Sequence, residues 1–381
     1  MSGLVSFVGS RLREARVARM KTAVWLAEEV GVEPTAISKY EVKNSTPRPE
    51  VLDRIGVALR MPSTFFFKPE YEVNRRPFMM RSLAASTKRA RDSAEVRTSW
   101  LREIVAFLKD VLSFPVPDLP CLFDGSDPTG IAMEEVEDAA TRLRRHWGMR
   151  DGPIDDLTGL LESKGIVIAR FSMNAEQLDA FSIWSTEAPI AVENTDRTNA
   201  VRMRFDLAHE LGHLVLHQNV EKSLFSHSPF HKLMESQAHR FAAAFLFPAT
   251  SFMNEVYTVN IDGMLDLKRR WKLSAQMMIR RAFDLKTISE YQYERAFKRV
   301  SQAGYRTREP LDDVLESESP ALLKDAMRAL IDRGGMTGTD VLAALRFSAR
   351  DVETLTNLPS GFLESTKWGV VVPLRSDPKD E

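Results

Sequence analysis

Apolar positions recur at helical spacing from Phe7 to Ala18, and the pattern resumes twice within the next twenty-five residues. Thr22 is placed to cap a second helix running to Val30, and Gly31, tolerant of positive φ, ends it. Glu33-Pro34 restarts the chain with proline at a first helical position, and the pattern runs to about Tyr40. "KNSTPRPE" then reads as a loop and "PEVLDRIGVALRM" as a fourth helix. Residues 61–80 lack a period, and their aromatic run Phe65-Phe66-Phe67 reads as exposed. A long helix is expected from Ser86 to Leu112, followed by the proline-punctuated "FPVPDLP" at 114–120. Two helices are expected within 134–164, then a strand in "GIVIARFSM" and a hairpin pairing "AFSIWS" with "APIAVEN". From Thr198 to about Phe347 the period is almost wholly helical, and residues 320–358 form a last helical module.

That succession predicts a mainly α protein with a small β-sheet. A chain of 381 residues exceeds one ordinary core, so several units are expected. The expected division is 1–68, a helical linker at 69–133, a mixed unit at 134–250 and a helical C-terminal region at 251–381. The single cysteine, Cys121, leaves no internal disulfide framework and fits a reducing cytoplasm. No apolar run is long enough for a membrane span, and the first twenty residues lack a signal-peptide core, so a cytoplasmic location without membrane contact is expected. The net charge of −1 conceals an asymmetry. Residues 1–110 carry 20 Lys and Arg against 13 Asp and Glu, and the remainder 32 against 40. A basic front end on an acidic body points to an anionic partner for the front end.

"TAVWLAEEVGVEPTAISKYE" gives that partner a shape. Ala27 and Ile37 face inward on two helices joined at Gly31, the layout in which the second helix enters the DNA major groove. Glu33, Thr35, Ser38 and Lys39 then project toward base edges, while Lys43 and Arg48 suit phosphates. The stretch resembles the repressor-like helix-turn-helix domains of the XRE family over about residues 7–68, through "RLREAR", "LAEEVGV" and "ISKYE". The resemblance implies binding to double-stranded operator DNA as a homodimer.

The densest chemistry lies in "FDLAHELGHLVLH". His209 and His213 are four residues apart, so on a helix they share a face about 6 Å apart in rise and can converge on one zinc ion. Glu210 points about 100° away, beside such an ion rather than on it, where it can act as general base. Val201, Phe205, Ala208, Gly212 and Val215 step by four and three, so a helix is expected. Gly212 is poor in a helix interior and signals a close neighbour there. His217 lies about 12 Å in rise beyond His209, too far to share the ion, and reads as a surface or core histidine. The better third ligand is Glu235, on the well-marked helix "SPFHKLMESQAHRFAAAFLFP" with its Ser228 cap. His239 shares the Glu235 face and is placed to orient a ligand by hydrogen bond. For an oxyanion donor the nearest polar residues are Arg202, Arg204, His227 and His231, each reading better singly as a surface or ion-paired group.

Together "RFDLAHELGHLVLH" and "ESQAHRFAAAFLFP" resemble the ImmA/IrrE family of zinc metallopeptidases over roughly residues 135–250. The resemblance implies a gluzincin-like α+β metallopeptidase domain with His209, His213 and Glu235 as Zn2+ ligands and Glu210 as general base. It also implies that an extended peptide pairs with the edge of the "AFSIWS…APIAVEN" hairpin. The expectation is a DNA-binding transcriptional regulator whose endopeptidase cuts a repressor-type partner or its own chain, near residues 61–80 or 113–133. A regulator whose zinc domain only senses a metal, ligand or partner is the alternative, as is an antitoxin or phage-related repressor module.

Overall fold

A small sheet separates two hydrophobic cores in the computed structural model, which describes residues 6–43, 45–71, 79–80, 87–176, 180–196, 199–221, 223–224 and 228–364. Its principal strands are β2 (Val167–Phe171), β3 (Ala180–Trp184) and β4 (Pro189–Asn194), and the two-residue β1 (Met79–Met80) joins at one edge. The order is β1-β3-β4-β2. The expected hairpin forms as an antiparallel pair with Ser182 opposite Ala191, while β2 runs parallel to β4 with Val167 opposite Ile190. Side chains alternate across a strand, and both faces of this sheet are buried. Val167, Ala169 and Phe171 enter one core with Ile190 and Val192, whereas Ile168 and Ala191 enter the other.

The first core is built mainly from the N-terminal helices α1 (Gly9–Ala18), α2 (Ala23–Val30), α3 (Pro34–Lys43) and α4 (Pro49–Leu59). Thr22 caps α2 through its hydroxyl, which accepts from the Trp25 amide at 3.0 Å, and Gly31 ends it at φ 67°. The long helix α5 (Lys88–Val111) packs against α1, burying Trp100, Leu101, Ile104, Val105 and Leu108. Within the segment read as a helical linker, 69–133, α5 is thus packed into a core. The aromatic run is also inside: Phe65 and Phe66 are fully buried in a 3-10 turn, with Phe65 edge-on to Trp100 at 5.6 Å between centroids. That expectation of exposure fails because residues distant in sequence supply the cover, Trp100 and Phe347 over Phe65 and Phe7 over Phe66. The same core takes in α14 (Leu322–Asp332), α15 (Gly338–Leu345) and α16 (Ala349–Leu355) through Leu323, Val341 and Val352.

The second core joins α6 (Met133–His146) and α7 (Leu157–Ser163) to α8 (Ala200–Leu216) and α9 (Ser228–Leu246). The short α10 (Ala249–Glu255) and α11 (Ile261–Trp271), α12 (Ala275–Asp284) and α13 (Glu290–Gln302) close it from the far side. Ser228 opens α9, but its side chain, expected to cap the helix, lies outside the described residues, as does His227. The architecture is thus mainly helical, a helix-turn-helix bundle followed by an α+β unit and a helical C-terminal region. No described helix is long and apolar enough to cross a membrane.

Candidate metal centre

Helices α8 and α9 pack at the point where Gly212 stands. A Cβ on Gly212 would meet the Ala238 Cα and carbonyl oxygen at 3.1 Å, so glycine and alanine permit the approach the sequence anticipated. The approach carries His209 and His213 of α8 up to Glu235 of α9. The His209 and His213 Nε2 atoms are 3.1 Å apart. Glu235 Oε2 lies 3.4 Å from His209 Nε2, and Glu235 Oε1 lies 3.3 Å from His213 Nε2. Both histidines are buried, while the Glu235 side chain keeps 21% of its surface toward the cleft. These three residues form the one cluster of metal-ligand type among the described residues.

The spacing tests the fit to an ion. Tetrahedral zinc with bonds of about 2.0–2.1 Å separates its ligand atoms by about 3.3–3.4 Å. The observed separations match that triangle, and two imidazoles with one carboxylate are the donors zinc favours. Burial alone raises the Glu235 carboxyl, but hydrogen bonds and charge from His209 and His213 outweigh it and hold it well below the usual carboxylate range. The carboxylate is therefore ionised, as a ligand must be.

A relay behind His213 sets which of its nitrogens carries the proton. Gln237 donates from Nε2 to the carbonyls of Pro128 at 2.9 Å and Ile131 at 2.8 Å. The opposite amide orientation would set oxygen against both carbonyls, so Oε1 faces His217 Nε2 at 2.9 Å and accepts from it. Burial first, then the neighbouring His213, push the His217 imidazole down to about 3, so it is neutral. A neutral ring that donates from Nε2 accepts at Nδ1, which lies 3.0 Å from His213 Nδ1. His213 then donates from Nδ1, so that it would offer its Nε2 lone pair once a metal displaces the proton shared with Glu235. His217, read as a surface or core histidine, is a core one, and it links Gln237 to His213.

Glu210 is buried and reaches toward the sheet. Its Oε2 accepts from the Ser182 hydroxyl of β3 at 2.6 Å, and the Trp184 indole donates to the Leu214 carbonyl at 3.0 Å, pinning β3 along the helix. His239 lies against Phe205 at 4.8 Å and edge-on to His209 at 6.5 Å between ring centroids. It lines a cleft of about 360 Å³ with His209, Glu235 and Arg280, and a larger one of about 870 Å³ with Phe205 and Tyr293. Among the oxyanion candidates, His231 Nε2 comes within 3.8 Å of Glu235 Oε1. Arg204 is drawn away into a buried pair with Glu318 and a bond to the Ile154 carbonyl. Gln237 and Ser182 were missed from the sequence. Gln237 stands two residues after Glu235, but nothing local marks its partners, and Ser182 reads as an ordinary strand residue.

At the other end of the molecule, Ala27 and Ile37 are buried where α2 meets α3. Glu33, Thr35, Ser38, Lys39 and Lys43 are exposed along α3 or just before it, and Arg48 is exposed ahead of α4. The Arg16 guanidinium bonds Glu41 at 2.6 Å and fixes α1 against α3.

Comparison with known families agrees with both ends. Residues 161–283 match the peptidase family described as an IrrE N-terminal-like domain. Residues 12–66 match a helix-turn-helix family. No curated protein matches the chain closely enough to carry a comparison. The two matches together support a DNA-binding regulator that carries an IrrE-type peptidase domain.

Proposed function

We propose that the protein is a cytoplasmic transcriptional regulator whose zinc-dependent endopeptidase cuts a repressor-type partner or its own chain, and so switches transcription. The observation that carries this is the triangle of His209, His213 and Glu235, with Glu210 on the helix between the two histidines. In this reading residues 1–68 read DNA, residues 134–250 hold the peptidase core, and residues 251–381 brace it. Residues 69–133 join the two through the packed helix α5. Glu33, Thr35, Ser38 and Lys39 meet bases, and Lys43 and Arg48 meet phosphates, with two copies of the chain addressing two half-sites.

The histidines and Glu235 hold the ion, and the Gln237–His217 relay fixes the His213 tautomer. Zinc bound there supplies a Lewis acid that polarises a carbonyl and acidifies water. Ser182 donates to Glu210 and fixes its carboxylate, which takes a proton from the attacking water and returns it to the leaving amine. His239 and Arg280 line the cleft where side chains of a peptide would lie. Profiling new protein N-termini in cells expressing wild type or Glu210→Gln at matched levels tests the reading. Termini unique to wild type, with equal zinc content in both proteins, are expected. Identical termini in the two would remove the peptidase and leave a metal-stabilised regulator.

A further inference from the structure

The edge of β3 is the place where this fold could add a peptide as an extra strand. It faces away from β4, and Ser182 in its middle holds the general base. That edge already carries a strand of this chain: β1 pairs with it antiparallel, with Met79 opposite Ser182 and Met80 opposite Phe181. Partners across such a ladder sit about 5 Å apart. Met79 therefore lies one strand-spacing from the residue whose hydroxyl touches Glu210.

We propose, on the peptidase reading above, that the β1 segment is the substrate of this same site in cis, and that the chain is cut at the Met79–Met80 bond. Water oxygen bonds to the peptide carbonyl carbon, the C–N bond breaks, and the water's proton passes through Glu210 to the new amine. The products are a free carboxylate and a free amine, and no other reactant is consumed. The cut falls between the helix-turn-helix and α5. It does not release the reader at once, because α1 stays packed on α5 through Ser93, whose hydroxyl donates to the Ala18 carbonyl at 2.9 Å, and through Arg11 bonded to Glu103 at 2.6 Å. The nicked protein keeps its native size and separates into two chains only on denaturation.

The test uses the full chain with zinc added, intact mass and N-terminal sequencing as the readout, and unfolded casein as an independent substrate. Wild type is expected to acquire an N-terminus at the β1 segment at least 100-fold faster than Glu210→Gln. A binding arm needs no turnover. In Glu210→Gln the edge is filled in cis, so a labelled synthetic peptide of residues 72–86 binds poorly. Adding Met79→Pro and Met80→Pro, which cannot donate to a ladder, should tighten binding of that peptide at least tenfold. A wild-type protein that digests casein while its own chain stays whole near β1 overturns the proposal and leaves the peptidase standing. A protein that cuts neither removes both. Equal peptide binding with and without the prolines overturns the occupancy on which the proposal rests.

Discussion

Both amide hydrogens of Gln237 are spent on the Pro128 and Ile131 carbonyls, so its oxygen is committed to His217 and, through it, to the tautomer of His213. Gln237→Leu removes all three bonds from a buried place and leaves His217 to choose its tautomer. Buried groups left unpaired cost about 1–3 kcal/mol each, so a loss near 3 kcal/mol is expected in urea unfolding. Groups that orient a metal-bound histidine are worth about 10–100-fold in affinity, and competition with a zinc chelator should show that loss in Gln237→Leu. Unchanged affinity with lowered stability would make the relay structural only. The residues of the triangle were legible from sequence because a step of four on a helix fixes a direction. The relay was not, since the partners of Gln237 come from a loop more than one hundred positions earlier and only the register of α9 brings them together.

Between elements, the site depends on how closely α8 lies on α9. Gly212 and Ala238 permit that distance, and the ligand triangle depends on it. Gly212→Val places branched methyls where even a Cβ sits at 3.1 Å from the Ala238 backbone. Overpacking of this kind costs about 1–3 kcal/mol, and here it also draws Glu235 away from the histidines. A lowered unfolding midpoint at unchanged denaturant slope, together with weaker zinc binding, is the expected result. A stabilised variant, through the helix preference for a side chain over glycine, would show that the helices part without strain. Periodicity disclosed both helices and even the close approach at Gly212. It did not disclose that Phe7, Trp100 and Phe347 bury Phe65 and Phe66, because a run of aromatics carries no label for what covers it. Nor did it mark β1, two residues long and without a period to read.

At the scale of the whole molecule, the alternation of β2 and β4 ties the two cores together: Val167 and Ile190 belong to the reader's core, and Ile168 and Ala191 to the metal site's core. Charge reinforces the first of these cores. Glu103 of α5 bonds both Arg11 of α1 and Lys68, each at 2.6 Å, and Arg19 bonds Asp351 of α16 at 2.6 Å. Exposing the first core would strip one face of the sheet whose other face roofs α8, so the two cores should melt as one unit. Calorimetry on the full chain is expected to give a single transition, with calorimetric and van't Hoff enthalpies equal. Glu103→Gln, which leaves buried Arg11 with Glu14 alone and takes the carboxylate from partly buried Lys68, should lower that transition by about 3 kcal/mol and keep it single. A duplex selected for tight binding, present at about 100 times its dissociation constant, should then stabilise the entire chain by about 2.7 kcal/mol, the His209, His213 and Glu235 cluster included. Two separate transitions, with DNA raising only one, would mean that the reader is an independent domain. A single transition raised by DNA means that operator binding and the integrity of the α8–α9 site share one folding free energy.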